Sequence, residues 1–233
     1  MQQKVPKMVV KRLPVYLRVL DNLIRRDREI VLSRELSEET GFTAEQIRKD
    51  LTNFGAFGTR GTGYDVSYLR QQILNIIGLN TKTPVIVVGM GHLGSALSRY
   101  NMTKNPYVDI VGLFDLDPQV IGTKIIHQEV LPLSEMSRVI NDKKVKVAMI
   151  TVPATSAKDI VKELVGCGIN AILNFAPTKL EVPEGIYLQN VDFSIELQSL
   201  IYYVSTEEKQ KQNIWKRSFG EKYAKQIDRM IMP

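Results

Sequence analysis

Through the first eighty positions, apolar residues recur at spacings of three and four, the period of helices with one buried face. Leu13, Tyr16, Leu17, Leu20, Leu23 and Ile24 predict an amphipathic helix ending near Asp27, and Met1 to Arg12 before it reads as a basic arm without periodicity. Ser33 is the expected N-cap of a second helix that stops at Gly41, and Thr43 with Gln46 forms the capping box of a third. Two short helices around a glycine-containing turn predict a helix-turn-helix. Ile47, Leu51 and Phe54 take the inner side of the third helix, whereas Glu45, Arg48, Lys49 and Thr52 project outward.

On its own, an Arg48–Lys49 pair reads first as a solvated charged face. The next segment shifts that balance. Phe54 to Val66 alternates strand-like residues around a glycine-rich tip that carries Arg60, the pattern of a β-hairpin wing. In a winged helix-turn-helix, Arg48 and Lys49 are placed to reach guanine edges and phosphates in a major groove, and Arg60 to enter a minor groove. Ser67 is the expected cap of a linker helix carrying Leu69, Ile73, Leu74 and Ile77 until Gly78, with 79–83 as the hinge.

Beyond residue 84 the pattern becomes an alternation of strands and helices. Val85 to Val88, four β-branched residues in a row, predict a strand buried on both faces. The G-x-G-x-x-G that follows, Gly89-Met90-Gly91-His92-Leu93-Gly94, permits a sharp turn, brings backbone N–H groups against a pyrophosphate and packs the next helix closely on the sheet. That helix begins near His92 and carries Leu93, Ala96, Leu97 and Tyr100 at helical spacing. A second strand, Val108 to Asp115, ends on a carboxylate 21 residues after Gly94, where an acidic side chain meets the adenosine ribose hydroxyls. No Arg follows Asp115 closely, so NAD(H) is expected over NADP(H).

A helical turn at Asp117-Pro118, a strand from Ile125 to Leu131, a helix from Leu133 to Asn141 and a strand from Val145 to Ile150 continue the alternation. The loop Thr151-Val152-Pro153-Ala154 then occupies a strand's C-terminal end, where open α/β sheets bind ligands. A helix over 155–166 leads to the strand 171–175 and its exit at Ala176-Pro177. Phe175 and these two loops are expected to flank a nicotinamide, although Phe175 by its pattern alone reads equally as core. Ile195, Leu197, Leu200, Ile201 and Val204 give the C-terminal helix more apolar surface than one neighbour covers, and Trp215 and Phe219 follow in a charged stretch. The pattern suits packing on a second subunit or folding back on its own domain.

Length and charge sharpen this division. The 233 residues suit two domains, and the net charge of +6 is uneven. Residues 1–80 hold 13 Lys and Arg against 9 Asp and Glu, 81–199 hold 11 against 12, and 200–233 hold 7 against 4. Basic ends around a neutral middle fit a polyanionic partner. A single cysteine, Cys167, excludes an internal disulfide and a multi-thiolate metal site and fits a reducing cytoplasm. No secretory or membrane segment and no metal site is expected.

Three functional classes fit these features. An NAD-dependent dehydrogenase with a helical extension would need a general acid or base near the nicotinamide. The two histidines, His92 in the phosphate turn and His127 on an edge strand, are poorly placed for that, and no catalytic residue is expected. A winged-helix regulator sensing a coenzyme A derivative is a further alternative, against which Asp115 argues weakly. A DNA-binding protein that holds NAD(H) accounts for both halves.

The segments 46–51, 54–64, 89–94, Asn174-Phe175-Ala176-Pro177 and Val191-Asp192-Phe193 together resemble the Rex family of bacterial redox-sensing transcriptional repressors, in order and over nearly the whole chain. The resemblance implies a winged-helix DNA-binding domain over 1–80, a Rossmann NAD(H)-binding domain over 81–192 and, over 193–233, helices swapped between the subunits of a homodimer. Such repressors bind inverted-repeat operators upstream of fermentation and respiration genes and leave them when NADH replaces NAD⁺. By motif, Arg48, Lys49 and Arg60 would contact DNA, and the turn Gly89, Gly91, His92, Leu93 and Gly94 would hold the dinucleotide with Asp115. Thr151, Val152, Pro153, Asn174, Phe175 and Ala176 would border the nicotinamide, with Phe193 entering from the partner subunit. Arg18, Tyr100 and the partner's Asp192 would form an interdomain relay. Thr59 stands where many relatives carry Lys, which implies a weaker salt dependence by about one phosphate contact.

Overall fold

Leu13, Tyr16, Leu17 and Leu20 are buried along one side of helix α1 (Lys7–Arg25) in the computed structural model, which describes residues 5–55, 57–59 and 62–219, with Thr59 and 208–219 as backbone alone. The chain divides into two compact units. The first runs from the N-terminus to Thr83 and takes in Thr103–Asp109; the second is Pro84–Met102 with everything from Ile110 onward.

In the first unit α1 is followed by β1 (Ile30–Val31), α2 (Ser33–Thr40), α3 (Ala44–Thr52), β2 (Gly58–Thr59), β3 (Gly63–Asp65) and α4 (Val66–Ile77). The three strands form a small antiparallel sheet in the order β1-β3-β2. Tyr16, Leu20, Leu36, Ile47, Leu69 and Ile73 lie at its core, each at most 1% exposed. Burying each such side chain contributes about 1.5–3 kcal/mol. The unit is therefore a winged helix-turn-helix.

Several starts differ from the sequence-based expectation. Helix α1 begins at Lys7, inside the expected basic arm, because Val9 extends the buried stripe one turn upstream. Pro14 is accommodated on the exposed side of the helix. Helix α2 is capped through Leu32, whose backbone N–H donates to Glu35 Oε2 at 2.7 Å, while Ser33 is already helical. Thr43 caps α3 by accepting the Gln46 N–H at 3.1 Å, but the Gln46 side chain turns to Asp50, so the reciprocal half of the box is not made. Asp65, not Ser67, caps α4 by accepting the Tyr68 N–H.

The second unit opens with β4 (Thr83–Val88), α5 (His92–Lys104) and β5 (Val108–Asp115), and continues with the hairpin β6 (Lys124–Ile125) and β7 (Gln128–Pro132). A 3₁₀ turn (Leu133–Glu135) leads into α6 (Met136–Lys143), then β8 (Val147–Ile150), α7 (Ala154–Gly166), β9 (Ala171–Asn174), β10 (Tyr187–Asn190) and α8 (Phe193–Phe219). The sheet order is β10-β9-β8-β4-β5-β7-β6. Removing the antiparallel edge strand β6 leaves the 3-2-1-4-5-6 order of the dinucleotide-binding fold, with its switch point between β4 and β8.

The single strand expected over Ile125 to Leu131 is two strands, broken at Ile126, which adopts φ 59°. Without Gly or Asn, this turn has no sequence signal. Strand β10 went unpredicted because it is short, largely exposed and carries no alternation. On α5 the buried residues are Gly94 and Ser98, so Leu93, Ala96 and Tyr100 form an outward row. Cys167 caps α7 and is half-buried. Among the described residues no helix is long and apolar enough to cross a membrane, and no cluster of metal-binding side chains occurs.

Candidate functional site

The C-terminal end of β4 delivers the chain into the glycine turn at the switch point. Gly89 has φ 94°, and a Cβ there would stand 2.9 Å from the backbone of Thr151 and Val152. Gly94, in the first turn of α5, approaches so closely that a Cβ would lie 1.9 Å from the Gly89 carbonyl oxygen. Gly91 differs: nothing lies within 4 Å of the position its Cβ would take. Two glycines are thus required by internal packing, while the middle one leaves open backbone for an external group. The positive end of α5 faces the same side, as suits a phosphate.

Asp115 ends β5 beside this turn. Its Oδ2 accepts the Met90 N–H at 2.5 Å, and its Oδ1 accepts the N–H groups of Leu116 and Asp117 at 2.7 and 2.9 Å. The carboxylate therefore braces the glycine turn as well as facing the cleft. Thr151 fastens the loop after β8 to the same turn, its N–H donating to Val88 O at 2.9 Å and its hydroxyl to Gly89 O at 2.5 Å.

Asn174 is fully buried at the end of β9. Its side chain accepts the Ala176 N–H at 2.9 Å, and its amide donates to Ala176 O at 3.1 Å and Asn190 Oδ1 at 2.9 Å. This fixes the loop that presents Phe175. The resulting cleft, of about 710 Å³, is lined by Gly89, Gly91, Asp115, Thr151, Pro153 and Phe175, with Val152 beside them. Gly94, Asn174 and Ala176 are buried and shape the cleft without lining it, and His92, Leu93 and Phe193 are exposed. Leu116 and Val120 add apolar wall that sequence reasoning missed. The available signal was Leu116 standing between Asp115 and Asp117-Pro118 in a polar turn. Phe193, expected from a partner subunit, stacks in the single chain on its own Phe175, with ring centroids 6.1 Å apart.

The other candidate face lies on the first unit. Arg48 and Lys49 are exposed on α3 while Ile47 and Leu51 are buried beneath them. Arg48 Nη1 donates to Ser33 Oγ at 2.9 Å, which aligns its guanidinium along the α2–α3 face. The wing pairs Gly58 with Tyr64 and Thr59 with Gly63; Arg60, the Thr59 side chain and the side chains of Trp215 and Phe219 lie outside the described residues. Of the relay residues, Arg18 is exposed in the first unit, whereas Tyr100 and Asp192 belong to the second. Asp192 Oδ1 accepts the Ser194 N–H at 2.9 Å at the start of α8.

Two polar clusters in the first unit were not anticipated. Asp50, 1% exposed, accepts from Arg12 Nε at 2.5 Å and Nη2 at 2.8 Å, from Tyr16 Oη at 2.6 Å and from Gln46 Nε2 at 2.7 Å. Burial alone would raise its carboxyl, but the hydrogen bonds from Arg12, Tyr16 and Gln46 outweigh that and hold it below the ordinary carboxylate range. Burial, with the bond to Asp50, pushes the Tyr16 phenol upward. The clue was spacing: Asp50 falls on the buried stripe with Ile47 and Leu51. The second cluster joins Asp21, Arg70 and Tyr107.

Residues 4–52 match the family model "Putative DNA-binding protein N-terminus" and residues 80–178 match "CoA binding domain". A redox-sensing transcriptional repressor Rex from Natranaerobius thermophilus is 55% identical over 87% of this chain and 92% of its own, and one from a Roseiflexus species is 44% identical over the same shares. Among solved structures, RSP in complex with β-NAD⁺ and operator DNA aligns with a TM-score of 0.82 at 37% identity, covering 90% of this chain and 96% of that one. RSP with β-NADH aligns with a TM-score of 0.77 at 36% identity, covering 90% and 98%. The chain belongs to the Rex family of redox-sensing transcriptional repressors.

Proposed function

We propose that this protein holds NAD(H) in the cleft between the glycine turn and Phe175, binds inverted-repeat operator DNA through its winged-helix unit, and releases it when NADH replaces NAD⁺. The observation that carries this reading is the pairing, in one chain, of a cleft built on Gly89, Gly91 and Asp115 with a helix presenting Arg48 and Lys49. RSP, a relative whose crystals hold β-NAD⁺ with operator DNA in one case and β-NADH in another, supports it. The dehydrogenase reading has no such support: His92 is exposed at the start of α5, and His127 stands in the exposed β6–β7 turn.

The working form is a homodimer through swapped α8 helices, in the cytoplasm. Support comes from α8 itself, on which Phe193, Ile195, Leu197, Leu200 and Ile201 are each about 60% exposed in the single chain. A dimer places two α3 helices on successive turns of one face of the duplex, roughly 34–36 Å or a multiple apart. Oxidised and reduced nicotinamide differ in charge and planarity, so a pocket walled by Phe175 can tell them apart. Moving the population from mostly bound to mostly free needs about 5.5 kcal/mol of differential affinity, which two sites share.

The decisive experiment measures operator binding at several NADH/NAD⁺ ratios. Affinity is expected to fall with NADH and recover with excess NAD⁺; equal weakening by both would remove the redox sensor. Coenzyme A belongs in the same titration because of the family model matched over 80–178. Release by coenzyme A but not NADH would select that ligand instead.

Two substitutions test the assigned residues. Asp115→Ala is expected to lose discrimination against NADPH and also to weaken NADH, since Met90 N–H loses its acceptor. Unchanged discrimination would place ribose recognition elsewhere. Lys49→Ala is expected to weaken binding alike for all operator sequences and to lower the salt slope by about one. A changed sequence preference with an unchanged slope would show that Lys49 reads bases.

A further inference from the structure

Residues 103–109 connect α5 to β5 and belong by sequence to the nucleotide-binding fold, yet they cluster with the N-terminal unit. Tyr107 shows how they are held. Its hydroxyl donates to Asp21 Oδ2 on α1 at 2.6 Å and accepts from Arg70 Nη2 on α4 at 3.2 Å, while Arg70 Nε donates to Asp21 Oδ1 at 2.6 Å. The triangle is closed and its protons balance, with one phenolic hydrogen given, one guanidinium hydrogen received and a separate Asp21 oxygen for each partner. The Asp21 and Arg70 side chains are only 23% and 30% exposed, which shields the pair more than an ordinary surface bridge. The Tyr107 ring also packs against the core of the N-terminal unit, and its carbonyl accepts the Thr83 N–H at 2.9 Å.

Connectivity gives this attachment its meaning. Helix α5 starts at His92 in the glycine turn, and its last residues, Thr103 and Lys104, already count with the N-terminal unit. Its 13 residues form a rod of about 20 Å that carries displacement at one end to the other. From Tyr107 the hydrogen bonds pass to α1 through Asp21, and α1 is bound to α3 by Arg12 and Tyr16 on Asp50, next to Arg48 and Lys49. We propose that the Asp21–Arg70–Tyr107 cluster is the joint through which the state of the dinucleotide cleft reaches the DNA-contacting helix, with Tyr107 as a positioning residue for the response. The proposal rests on the NADH-responsive reading above. It is distinct from the relay of Arg18, Tyr100 and Asp192, with which it shares no residue.

The test uses the full-length protein and a duplex it selects from a random inverted-repeat library. Operator affinity is measured by fluorescence anisotropy with and without saturating NADH, NADH affinity by nicotinamide fluorescence, and stability by thermal melting. Tyr107→Phe keeps the ring and removes the hydroxyl. It is expected to leave NADH affinity and the melting midpoint near wild type while shrinking the ratio of operator affinities without and with NADH about fivefold or more. Asp21→Asn is expected to shrink that ratio to the same extent, with a lowered midpoint because Arg70 loses its counter-charge, and the double variant to shrink it no more than either single one, because all three break one joint. A merely structural ion pair would shift the melting midpoint and spare that ratio. A responsive wild type with an equally responsive Tyr107→Phe protein would overturn the joint alone. A wild type indifferent to NADH would overturn the repressor reading and the joint with it.

Discussion

Gly94→Ala is expected to weaken dinucleotide binding about a hundredfold while leaving the winged-helix unit folded. The added methyl would meet the Gly89 carbonyl oxygen at 1.9 Å and Thr151 Oγ1 at 2.6 Å. Both belong to parts held firmly: Gly89 N–H is bonded to Phe114 O at 2.8 Å, and Thr151 is tied to β4 through Val88 and Gly89. Neither can retreat without opening the turn that lines the cleft. Overpacking on the order of 3 kcal/mol corresponds to about a hundredfold loss in affinity. Calorimetric titration with NADH checks this, alongside operator binding without nucleotide. Gly91→Ala supplies the contrast, because its methyl enters open space and so obstructs only an incoming ligand. A Gly94→Ala protein that binds NADH normally would mean that the close approach of α5 to the turn is not required.

Asp50→Ala is expected to destabilise the N-terminal unit by about 3 kcal/mol or more, since removing one partner of a buried, hydrogen-bonded ion pair strands the other. At about 4 °C per kcal/mol for a unit of this size, its midpoint should fall by roughly 12 °C. Operator affinity should fall as well, because the four bonds to Asp50 orient α3 against α1, and NADH affinity should not. The pH dependence follows from the depressed carboxyl. Its stabilisation is complete above pH ~4, where the unfolded group is also ionised, and is lost as pH falls through the lower folded value. The variant should therefore show a flatter stability profile below pH ~4. A loss under 1 kcal/mol would class the pair with exposed surface bridges, which the 1% exposure of Asp50 and 15% of Arg12 argue against. Replacing Arg12 and Asp50 together by Met and Leu should recover much of the loss, as apolar side chains fill the same space without a stranded charge.

The fold was legible where burial imposes a period. Ile47 and Leu51 against Arg48 and Lys49 define the two faces of α3 from sequence alone, and the β-branched run before the glycine turn identifies β4. The parts that lacked a period were missed or merged: β1 has two residues, β6 and β7 were read as one strand because their turn carries no signal, and β10 is mostly exposed. The cleft was legible because its glycines and Asp115 have steric and chemical roles tied to fixed spacing, and the structure brings Thr151 and Phe175 beside them. Asp50 was not, although it sits on the apolar stripe, because its partners Arg12 and Tyr16 are more than thirty positions away. Tyr107 is further still from Asp21, and no local pattern assigns it to the first unit.

The first unit is assembled from two pieces of chain, so the backbone passes between the units at 83–84, 102–103 and 109–110. A single breakpoint between the units would therefore divide the packing of the first unit. A cut after residue 80 would carry off Asp21 and Arg70 but abandon Tyr107, exposing a charged pair and a patch of core.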